Sequence, residues 1–332
     1  MSEHLLEIND LKVSFFTPAG EVKAVNGVTY DLDEGRVLGI VGESGSGKSV
    51  SVSALMQLLA YPGRVVGGSI TFNGRDILAM SEQEIQAVRG KEIGMIFQDP
   101  MTSLNPVFTI GEQLVETLRR HTAMTRAQAW ARSVEMLKLV GINNPEQRMK
   151  QYPHEFSGGM RQRAMIAMTL LCNPKLLIAD EPTTALDVTI QAQIMDLMKR
   201  LREKINAAII LITHDLGIVS DICDEVIVMY AGRIVERGTT DDIFYRPAHP
   251  YTQGLLRCLP RLDSDGTEPL EPIEGTPVDL LALPKGCAFA PRCNKCMKVC
   301  LSQQPPTFEM GQGHTSTCWL HALDMVEEVQ QN

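Results

Sequence analysis

Short apolar runs alternate with amphipathic stretches over roughly the first 240 residues, and this alternation predicts the order of the secondary-structure elements. Apolar or partly alternating runs predict strands at residues 5–16, 27–32, 37–41, 69–73, 92–97, 175–179, 207–213, 226–230 and 233–236. Helix-compatible spacing predicts helices from near residue 48 and over residues 109–140, 156–172 and 190–204. Strands that alternate with helices predict an α/β fold with a mostly parallel sheet covered on both faces.

The pattern changes after about residue 238, where prolines become frequent and no long periodic helix is evident. We therefore predict a domain boundary near residue 240, with one domain over residues 1–240 and an extension over residues 241–332. Within the first domain, we expect a mainly helical part over about residues 100–165. A chain of 332 residues is long enough for this division.

Composition narrows the classes of protein that the chain can belong to. Hydrophobic residues make up 44% and charged residues 21%, which is typical of globular proteins. The net charge of −9 argues against broad electrostatic binding to nucleic acid or to an anionic membrane surface. No apolar run reaches the roughly 18 residues of a spanning helix, and the N-terminus lacks a signal pattern. We expect a cytosolic protein that other chains hold at a membrane if it works there.

The segment at residues 42–49 reads GESGSGKS and fits the pattern G-x-x-x-x-G-K-[ST] between a predicted strand and a predicted helix. Glycines let successive backbone N–H groups turn toward phosphate oxygens, and the helix adds the positive end of its dipole. Lys48 would bridge the β- and γ-phosphates of a nucleotide, and the Ser49 hydroxyl would ligate Mg²⁺. The predicted nucleotide-binding residues of this loop are Gly42, Glu43, Ser44, Gly45, Ser46, Gly47, Lys48 and Ser49.

Polar residues follow other predicted strands where those strands end, at the edge at which open α/β sheets bind ligands. Asp180 would hold Mg²⁺ through water, and Glu181 would activate the attacking water as a general base. Gln98 would reach Mg²⁺ or that water, and His214 would contact the γ-phosphate. Each of these residues is a weak signal alone, but beside a phosphate loop the set predicts ATP hydrolysis with Glu181, His214 and Gln98 as catalytic residues.

These motifs, in this order, resemble the ATP-binding-cassette (ABC) family over about residues 5–240. The resemblance also includes Ser157-Gly158-Gly159, which is similar to the family's signature motif, and the tripeptide Ala-Leu-Asp at residues 185–187. Met160 stands where Gln is commoner in that motif. The family implies a phosphate-loop core with an antiparallel β subdomain and a helical subdomain.

The resemblance further implies how two cassettes share ATP. Two cassettes pair head to tail, so that each ATP lies between Lys48 of one chain and Ser157, Gly158 and Gly159 of the other. Because the signature opens a predicted helix, its free N–H groups suit a phosphate. The family also places an aromatic ring on the adenine, for which Phe15 is the best match and Phe16 the alternative.

A narrower resemblance, to the ATPase subunits of oligopeptide and dipeptide importers, covers nearly the whole chain. It is carried by QDPMTSLNP at residues 98–106, YPHEFS at 152–157, HPYT at 249–252 and the late cysteines. It implies a bacterial uptake system with an extracytoplasmic binding protein, two membrane permease subunits and two related ATPase subunits. The helical part would dock a permease, and the chain would sit on the cytoplasmic face of the membrane and bind no nucleic acid.

Five of the eight cysteines fall in the last fifth of the chain, where a metal site is more expected than disulfides in a reducing cytosol. The resemblance implies a [4Fe-4S] cluster on Cys287, Cys293, Cys300 and Cys318. Four thiolates also suit zinc, and the neighbouring Cys296 leaves the fourth ligand open. We expect a structural role for such a cluster.

Three alternatives remain open from the sequence. A cassette ATPase acting on DNA or ribosomes usually has a tandem cassette or a long coiled coil, and this chain has neither. A module that only binds nucleotide is disfavoured by the intact set of Asp180, Glu181 and His214. An importer of another solute, such as nickel or glutathione, stays open, and so does pairing of the chain with itself or with a different cassette.

Overall fold

The structure is a computed structural model that describes residues 4–98, 103–183, 187–204, 207–258 and 272–322. The chain divides into two compact units. The first comprises Met1–Leu5, Leu32–Val37 and Ala79–Ile212, and the second comprises Leu6–Asp31, Leu38–Leu78 and Thr213–Asn332. Each unit therefore draws on separate stretches of sequence, and the predicted boundary near residue 240 stays a prediction.

The described strands and helices are numbered in chain order. The strands are β1 (Leu6–Thr17), β2 (Gly20–Leu32), β3 (Val37–Val41), β4 (Gly63–Phe72), β5 (Arg75–Asp76), β6 (Ile93–Ile96), β7 (Leu176–Asp180), β8 (Ala208–Ile212), β9 (Glu225–Tyr230), β10 (Arg233–Thr239), β11 (Phe308–Gly311) and β12 (His314–Ser316). The helices are α1 (Lys48–Leu55), α2 (Glu82–Val88), α3 (Ile110–His121), α4 (Arg126–Leu139), α5 (Pro145–Arg148), α6 (Gly158–Leu170), α7 (Val188–Lys204), α8 (Leu216–Ile222), α9 (Thr240–Tyr245), α10 (Pro250–Arg257) and α11 (Lys298–Ser302).

In the first unit, β6, β7 and β8 run parallel to one another. Strands β7 and β8 are buried along their whole length, as their unbroken apolar sequences predict for a parallel sheet covered on both faces. The register pairs Ile93 with Leu176 and Asp180 with Ile212. The carboxyl ends of these strands therefore lie together at one edge of the sheet.

The helical stretch predicted over residues 109–140 is two helices, α3 and α4, rather than one. Thr109 caps the first and Thr125 the second, and each accepts a hydrogen bond from the backbone N–H three residues on. Glu112 and Gln128 complete the two capping boxes. Between the helices, the backbone of Thr122 is extended. The sequence prediction followed the helix-compatible spacing of Leu114, Leu118, Val134 and Leu137, which does not mark where one helix ends and the next begins.

The second unit contains an antiparallel sheet with the strand order β2-β1-β4-β5. Strand β4 begins at Gly63 rather than at the predicted residue 69, because its pairing with β1 continues as far as Phe15 opposite Gly63. The first half of β4 is glycine-rich and half-exposed, so it carries no apolar alternation. In the same unit, β3 runs parallel to β9. The phosphate-loop sequence follows β3 directly and leads into α1.

The C-terminal extension joins this unit through strands that the sequence did not predict. Strand β12 pairs with β10, and β11 pairs with β12. The carboxylate of Glu236 on β10 is buried and lies 2.9 Å from Nε2 of His314 on β12. The same carboxylate accepts the backbone N–H groups of Ala248 and His249, which fixes the start of α10. Among the described residues, no helix combines the length and apolar character needed to cross a membrane.

Candidate functional site

The predicted phosphate loop connects β3 to α1 and is shaped by glycines with positive φ. Gly42 has φ of +148° and Gly47 has φ of +101°. A Cβ atom at Gly42 would lie 2.2 Å from the carbonyl oxygen of Met229, and one at Gly47 would lie 2.4 Å from that of Ala24. Only glycine fits at both positions, because backbone atoms occupy the space that a side chain would need.

Lys48 opens α1 and turns its ammonium group back onto the loop. The residue is only 5% exposed, and Nζ donates hydrogen bonds to the carbonyl oxygens of Gly42 at 2.8 Å and Glu43 at 2.9 Å. Ser49 follows in the first turn of the helix. Within the described part of the chain, the buried hydroxyl of Ser46 has no hydrogen-bond partner. The buried Lys48 ammonium, the Ser46 hydroxyl and the N-terminus of α1 together form a site that suits an anionic ligand.

A cavity of about 310 Å³ lies beside this loop. Its walls include residues 43–46 of the loop, Tyr230 and Ala231 at the β9–β10 turn, and residues 277–280 of the C-terminal extension. The extension therefore contributes part of the surface around the predicted phosphate site in this unit.

Two further contacts connect the extension to the loop, and neither was predictable from the sequence. The Tyr251 hydroxyl accepts a hydrogen bond from the Glu43 backbone N–H at 2.9 Å, across 208 residues of sequence. Arg292 donates to both carboxylate oxygens of Glu43, across 249 residues. A single Tyr or Arg at such a separation has no spacing pattern, so only the fold identifies these partners.

In the first unit, the predicted catalytic residues Gln98 and Glu181 lie together at the carboxyl edge of the sheet. Asp180 is the last residue of β7 and is 9% exposed. Glu181 follows with φ of +45°, a backbone region that non-glycine residues rarely adopt, and its N–H donates to the carbonyl oxygen of Ile212 at 2.9 Å. Nε2 of Gln98 donates to Oε2 of Glu181 at 2.9 Å. The strained backbone and the amide contact fix the direction of the Glu181 carboxylate.

The predicted signature residues begin α6. Ser157 is the N-cap, and its hydroxyl accepts the backbone N–H of Met160 at 3.3 Å. Gly158 is the first helical residue and is exposed. Gly159 is buried, and a Cβ atom there would lie 2.8 Å from Cγ2 of Ile190. This helix end presents backbone N–H groups at the surface, as an incoming phosphate would require.

The structure also describes His214 and the last residue of the Ala-Leu-Asp tripeptide. His214 follows β8, is exposed, and immediately precedes Asp215, whose carboxylate caps α8. In the tripeptide at residues 185–187, the first two residues lie outside the described residues. The carboxylate of Asp187 accepts the N–H of Ile190 at 3.0 Å in the first turn of α7.

The aromatic pair at the end of β1 is divided between two environments. Phe15 is half-buried, and its ring lies against Gly63, where an added Cβ would meet the ring at 2.6 Å. Phe16 is 41% exposed, and the guanidinium carbon of Arg64 lies 4.6 Å from its ring centroid. Phe16 therefore presents the more open ring, while Phe15 remains the closer match to the family motif.

The four cysteines favoured from the sequence line a single pocket, together with the rings of Phe289 and Trp319. The eight cysteines all lie among the described residues, and none of them forms a disulfide. Burial raises the pKa of the Cys318 thiol to about 11, with backbone hydrogen bonding opposing that rise. Cys296 is exposed and is not part of the pocket lining. Among the described residues, no three His, Cys, Asp or Glu side chains are arranged so that they could hold a single metal ion.

The chain matches two protein-family models. The one described as "ABC transporter" matches residues 25–184, and the one described as "Oligopeptide/dipeptide transporter, C-terminal region" matches residues 235–300. The second match lies in the segment that contains Tyr251 and Arg292.

Curated relatives are similar to the chain over nearly its whole length. The oligopeptide transport ATP-binding protein OppD of Salmonella typhimurium is 58% identical over 95% of this chain and 93% of its own. The dipeptide transport ATP-binding protein DppD of Bacillus subtilis is 53% identical over 96% of this chain and 95% of its own.

Solved structures of cassettes share the fold. A dimeric, post-hydrolysis structure of the ATP-binding cassette MJ0796, bound to ADP and phosphate, is 25% identical. It has a TM-score of 0.63 and covers 71% of this chain and 98% of its own. The structure of cbiO1 from Clostridium perfringens is 27% identical, with a TM-score of 0.62 and coverage of 74% and 92%. On these similarities and on the motifs described above, the chain belongs to the ABC transporter family of ATP-binding proteins and carries the C-terminal region of oligopeptide and dipeptide transporters.

Proposed function

We propose that the chain is the ATP-hydrolysing subunit of a bacterial ABC importer that takes up oligopeptides or dipeptides through partner membrane subunits. The transport role is supported by relatives named for oligopeptide and dipeptide transport, which match nearly the whole chain. The observation that carries ATP hydrolysis is the 2.9 Å contact between Gln98 and Glu181 at the end of a buried parallel strand. That position is where an open α/β sheet presents reacting groups to a ligand.

The phosphate loop binds the triphosphate of ATP. Its backbone N–H groups and the Lys48 ammonium contact the β- and γ-phosphates, and the Ser49 hydroxyl binds Mg²⁺. Two observations support triphosphate binding by this loop. Lys48 is buried, and the buried Ser46 hydroxyl has no hydrogen-bond partner among the described residues. Asp180 would hold Mg²⁺ through water, and Gln98 would reach Mg²⁺ or the attacking water. Magnesium neutralises charge on the phosphate oxygens.

Glu181 acts as the general base that removes a proton from the attacking water. The Gln98 amide orients the Glu181 carboxylate and the water, and His214 contacts the γ-phosphate. The adenine stacks on Phe15, with Phe16 as the alternative, because aromatic rings bind the flat face of a base. The constrained backbone of Glu181 supports this assignment, since strained residues gather at functional sites.

ATP closes two cassettes head to tail. Ser157, Gly158 and Gly159 of one chain then contact the γ-phosphate held by Lys48 of the other, with the α6 N-terminus adding its positive dipole end. The similar MJ0796 cassette has a dimeric structure, which supports the pairing of two cassettes. The partner of this chain is a second, related ATPase subunit.

The ATPase pair works on the cytoplasmic face of the inner membrane and is held there by two permease subunits. An extracytoplasmic binding protein delivers the peptide, so it meets this chain only indirectly. Nucleic acid is not a partner, in keeping with the net charge of −9. Loss of the γ-phosphate reopens the pair, and the helical part transmits that change to the permeases.

Co-purification with the neighbouring subunits, followed by peptide uptake into proteoliposomes, tests the proposed substrate. We expect ATP-dependent uptake of short peptides and no uptake of nickel or glutathione by the same preparation. Uptake of nickel or glutathione without peptide uptake would assign the chain to another solute.

A second proposal concerns the cysteine pocket. We propose that Cys287, Cys293, Cys300 and Cys318 bind a [4Fe-4S] cluster of structural role, with zinc as the alternative. The support is that these thiols share one pocket and that Cys296 lies outside it. Tetrahedral zinc needs sulfurs about 3.8 Å apart, as follows from its bond length. Among the described residues, no three side chains are arranged for a single ion, so the proposal rests on the shared pocket and on the match of the four cysteines to the importer pattern.

Anaerobic purification with iron, sulfide and zinc analysis tests this proposal. Cys318→Ser should lower the iron content, whereas Cys296→Ser should leave it unchanged. Stoichiometric zinc, or no metal in an anaerobic preparation, would refute the iron–sulfur assignment.

A further inference from the structure

Arg292 of the C-terminal extension forms a bidentate ion pair with Glu43 of the phosphate loop. Nη1 lies 2.5 Å from one carboxylate oxygen and Nη2 lies 2.9 Å from the other. The Arg292 side chain is only 4% exposed, and that of Glu43 is 27% exposed. Charge-assisted, bidentate contacts of this kind fix both distance and direction.

The guanidinium is held on its other sides as well. Nε donates to the carbonyl oxygen of Glu274 at 3.0 Å, and Nη2 donates to that of Ile273 at 3.2 Å. The guanidinium carbon lies 5.9 Å from the Tyr230 ring centroid. The hydrogen bond to Glu43 is the main reason that the pKa of Arg292 lies above its ordinary value. Arg292 is therefore a fixed cation that cannot follow Glu43 if the loop moves.

A second contact from the extension holds the backbone of the same loop residue. The Tyr251 hydroxyl accepts the Glu43 N–H at 2.9 Å, and Tyr251 is fully buried. Its ring packs against Tyr230 and Phe289 at centroid distances of 4.8 and 5.3 Å. Both the side chain and the N–H of Glu43 are thus tied to the extension.

The contacts continue from Glu43 to the cation of the loop. The carbonyl oxygen of Glu43 accepts a hydrogen bond from Nζ of Lys48 at 2.9 Å. A displacement of Glu43 would therefore move one of the two carbonyl groups that hold the Lys48 ammonium. Neither Arg292 nor Tyr251 needs to touch the nucleotide to affect its binding.

We propose that Arg292 is a positioning residue for ATP binding, through which the C-terminal extension holds the phosphate loop in its binding conformation. The inference rests on the proposed role of Lys48 in binding phosphate. The C-terminal extension would then support nucleotide binding, in addition to any role in assembly. A cassette of this type that lost the extension would keep its motifs but bind ATP weakly.

The test measures MgATP binding to the full-length chain by calorimetry, with steady-state turnover in parallel. Arg292→Gln should weaken binding and raise KM roughly 3- to 30-fold, the range typical of residues that act through others. The kcat at saturating ATP should change less than KM. Arg292→Lys should restore only part of the affinity, because an ammonium cannot reproduce the paired contacts.

Glu43→Gln completes a double-mutant cycle. It should weaken binding as Arg292→Gln does, and the double variant should be no weaker than either single variant. Additive losses would mean that the two residues act separately, which would overturn the proposal.

Arg237→Gln is the matched control. Arg237 is an arginine of the same unit that pairs with two carboxylates, Asp31 and Glu225, and its side chain is 20% exposed. The control should lose stability without weakening ATP binding. Thermal melting of each variant identifies loss of folding, and Arg292→Lys with Glu43→Gln decides the question if Arg292→Gln does not fold.

Lys48→Ala separates this inference from the proposed function. If Lys48→Ala binds MgATP normally, the assignment of the phosphate loop fails. If Lys48→Ala loses binding while Arg292→Gln and Glu43→Gln bind as the wild type does, the positioning role of Arg292 fails and the loop assignment stands.

Discussion

The Gln98 amide donates a 2.9 Å hydrogen bond to the Glu181 carboxylate, although the residues are 83 positions apart in the sequence. Each follows a strand of the same parallel sheet, β6 and β7, whose register brings their carboxyl ends together. The pair thus joins the residue proposed as general base to the residue proposed to orient it.

Glu181→Gln should abolish most ATP hydrolysis and leave ATP binding intact. A positioned general base contributes about 10²- to 10⁴-fold to rate, and the amide cannot accept the proton from water. Single-turnover hydrolysis and MgATP binding measure the two effects. Glu135→Gln, at an exposed glutamate paired with Arg132, is the control and should leave turnover unchanged. Turnover by Glu181→Gln within a factor of two of wild type would refute the assignment.

Gln98→Ala should lower kcat about tenfold, because one hydrogen bond to a charged group is lost. Gln98→Glu should lower kcat further than Gln98→Ala does, because the amide donor is replaced by a second carboxylate that repels Glu181. Steady-state turnover of the two variants measures the difference. Wild-type turnover by Gln98→Glu would contradict this contact in solution.

Gly47→Ala should disrupt the phosphate loop, whereas Gly45→Ala should be mild. At Gly47 the new Cβ would lie 2.4 Å from the carbonyl oxygen of Ala24, but at Gly45 no atom lies within 4 Å of it. Both glycines have positive φ, so both substitutions carry a backbone cost of about 1–2 kcal/mol. The difference between the two variants therefore measures the steric clash of the new Cβ at residue 47. MgATP binding and melting temperature should fall sharply for Gly47→Ala only, and equal effects of the two would contradict the loop geometry.

Ser157→Ala and Ser157→Asn should separate the structural role of Ser157 from its proposed contact with ATP. Ser157 caps α6, and loss of an N-cap costs about 1 kcal/mol, whereas Asn caps as well as Ser does. Only Ser157→Ala should therefore lower the melting temperature. Both variants should reduce turnover of the assembled ATPase pair, because both lose the hydroxyl. Full turnover by Ser157→Asn would assign the residue to capping alone.

The sequence predicted those features whose signal is local. The phosphate loop is a continuous motif, and its glycines have the positive φ that the pattern requires. The buried strands β7 and β8 were evident from their apolar sequences, which also led to Asp180 and Glu181 at the sheet edge.

Features that depend on long-range pairing were not predictable. Strands β11 and β12 are short and largely polar, and their pairing partner, β10, lies far away in sequence. The break between α3 and α4 depends on the cap at Thr125, which the spacing of apolar residues does not mark. The ion pair of Glu43 with Arg292 spans 249 residues and had no sequence signal.

We propose that ATP hydrolysis by this chain drives peptide uptake. The most direct measurement compares uptake of a labelled short peptide into proteoliposomes assembled with the permeases, the second ATPase, and either wild-type chain or Glu181→Gln. We expect uptake that requires ATP with the wild-type chain and a loss of most uptake with Glu181→Gln. Undiminished peptide uptake with Glu181→Gln, or hydrolysis by the wild-type assembly that never moves peptide, would contradict it.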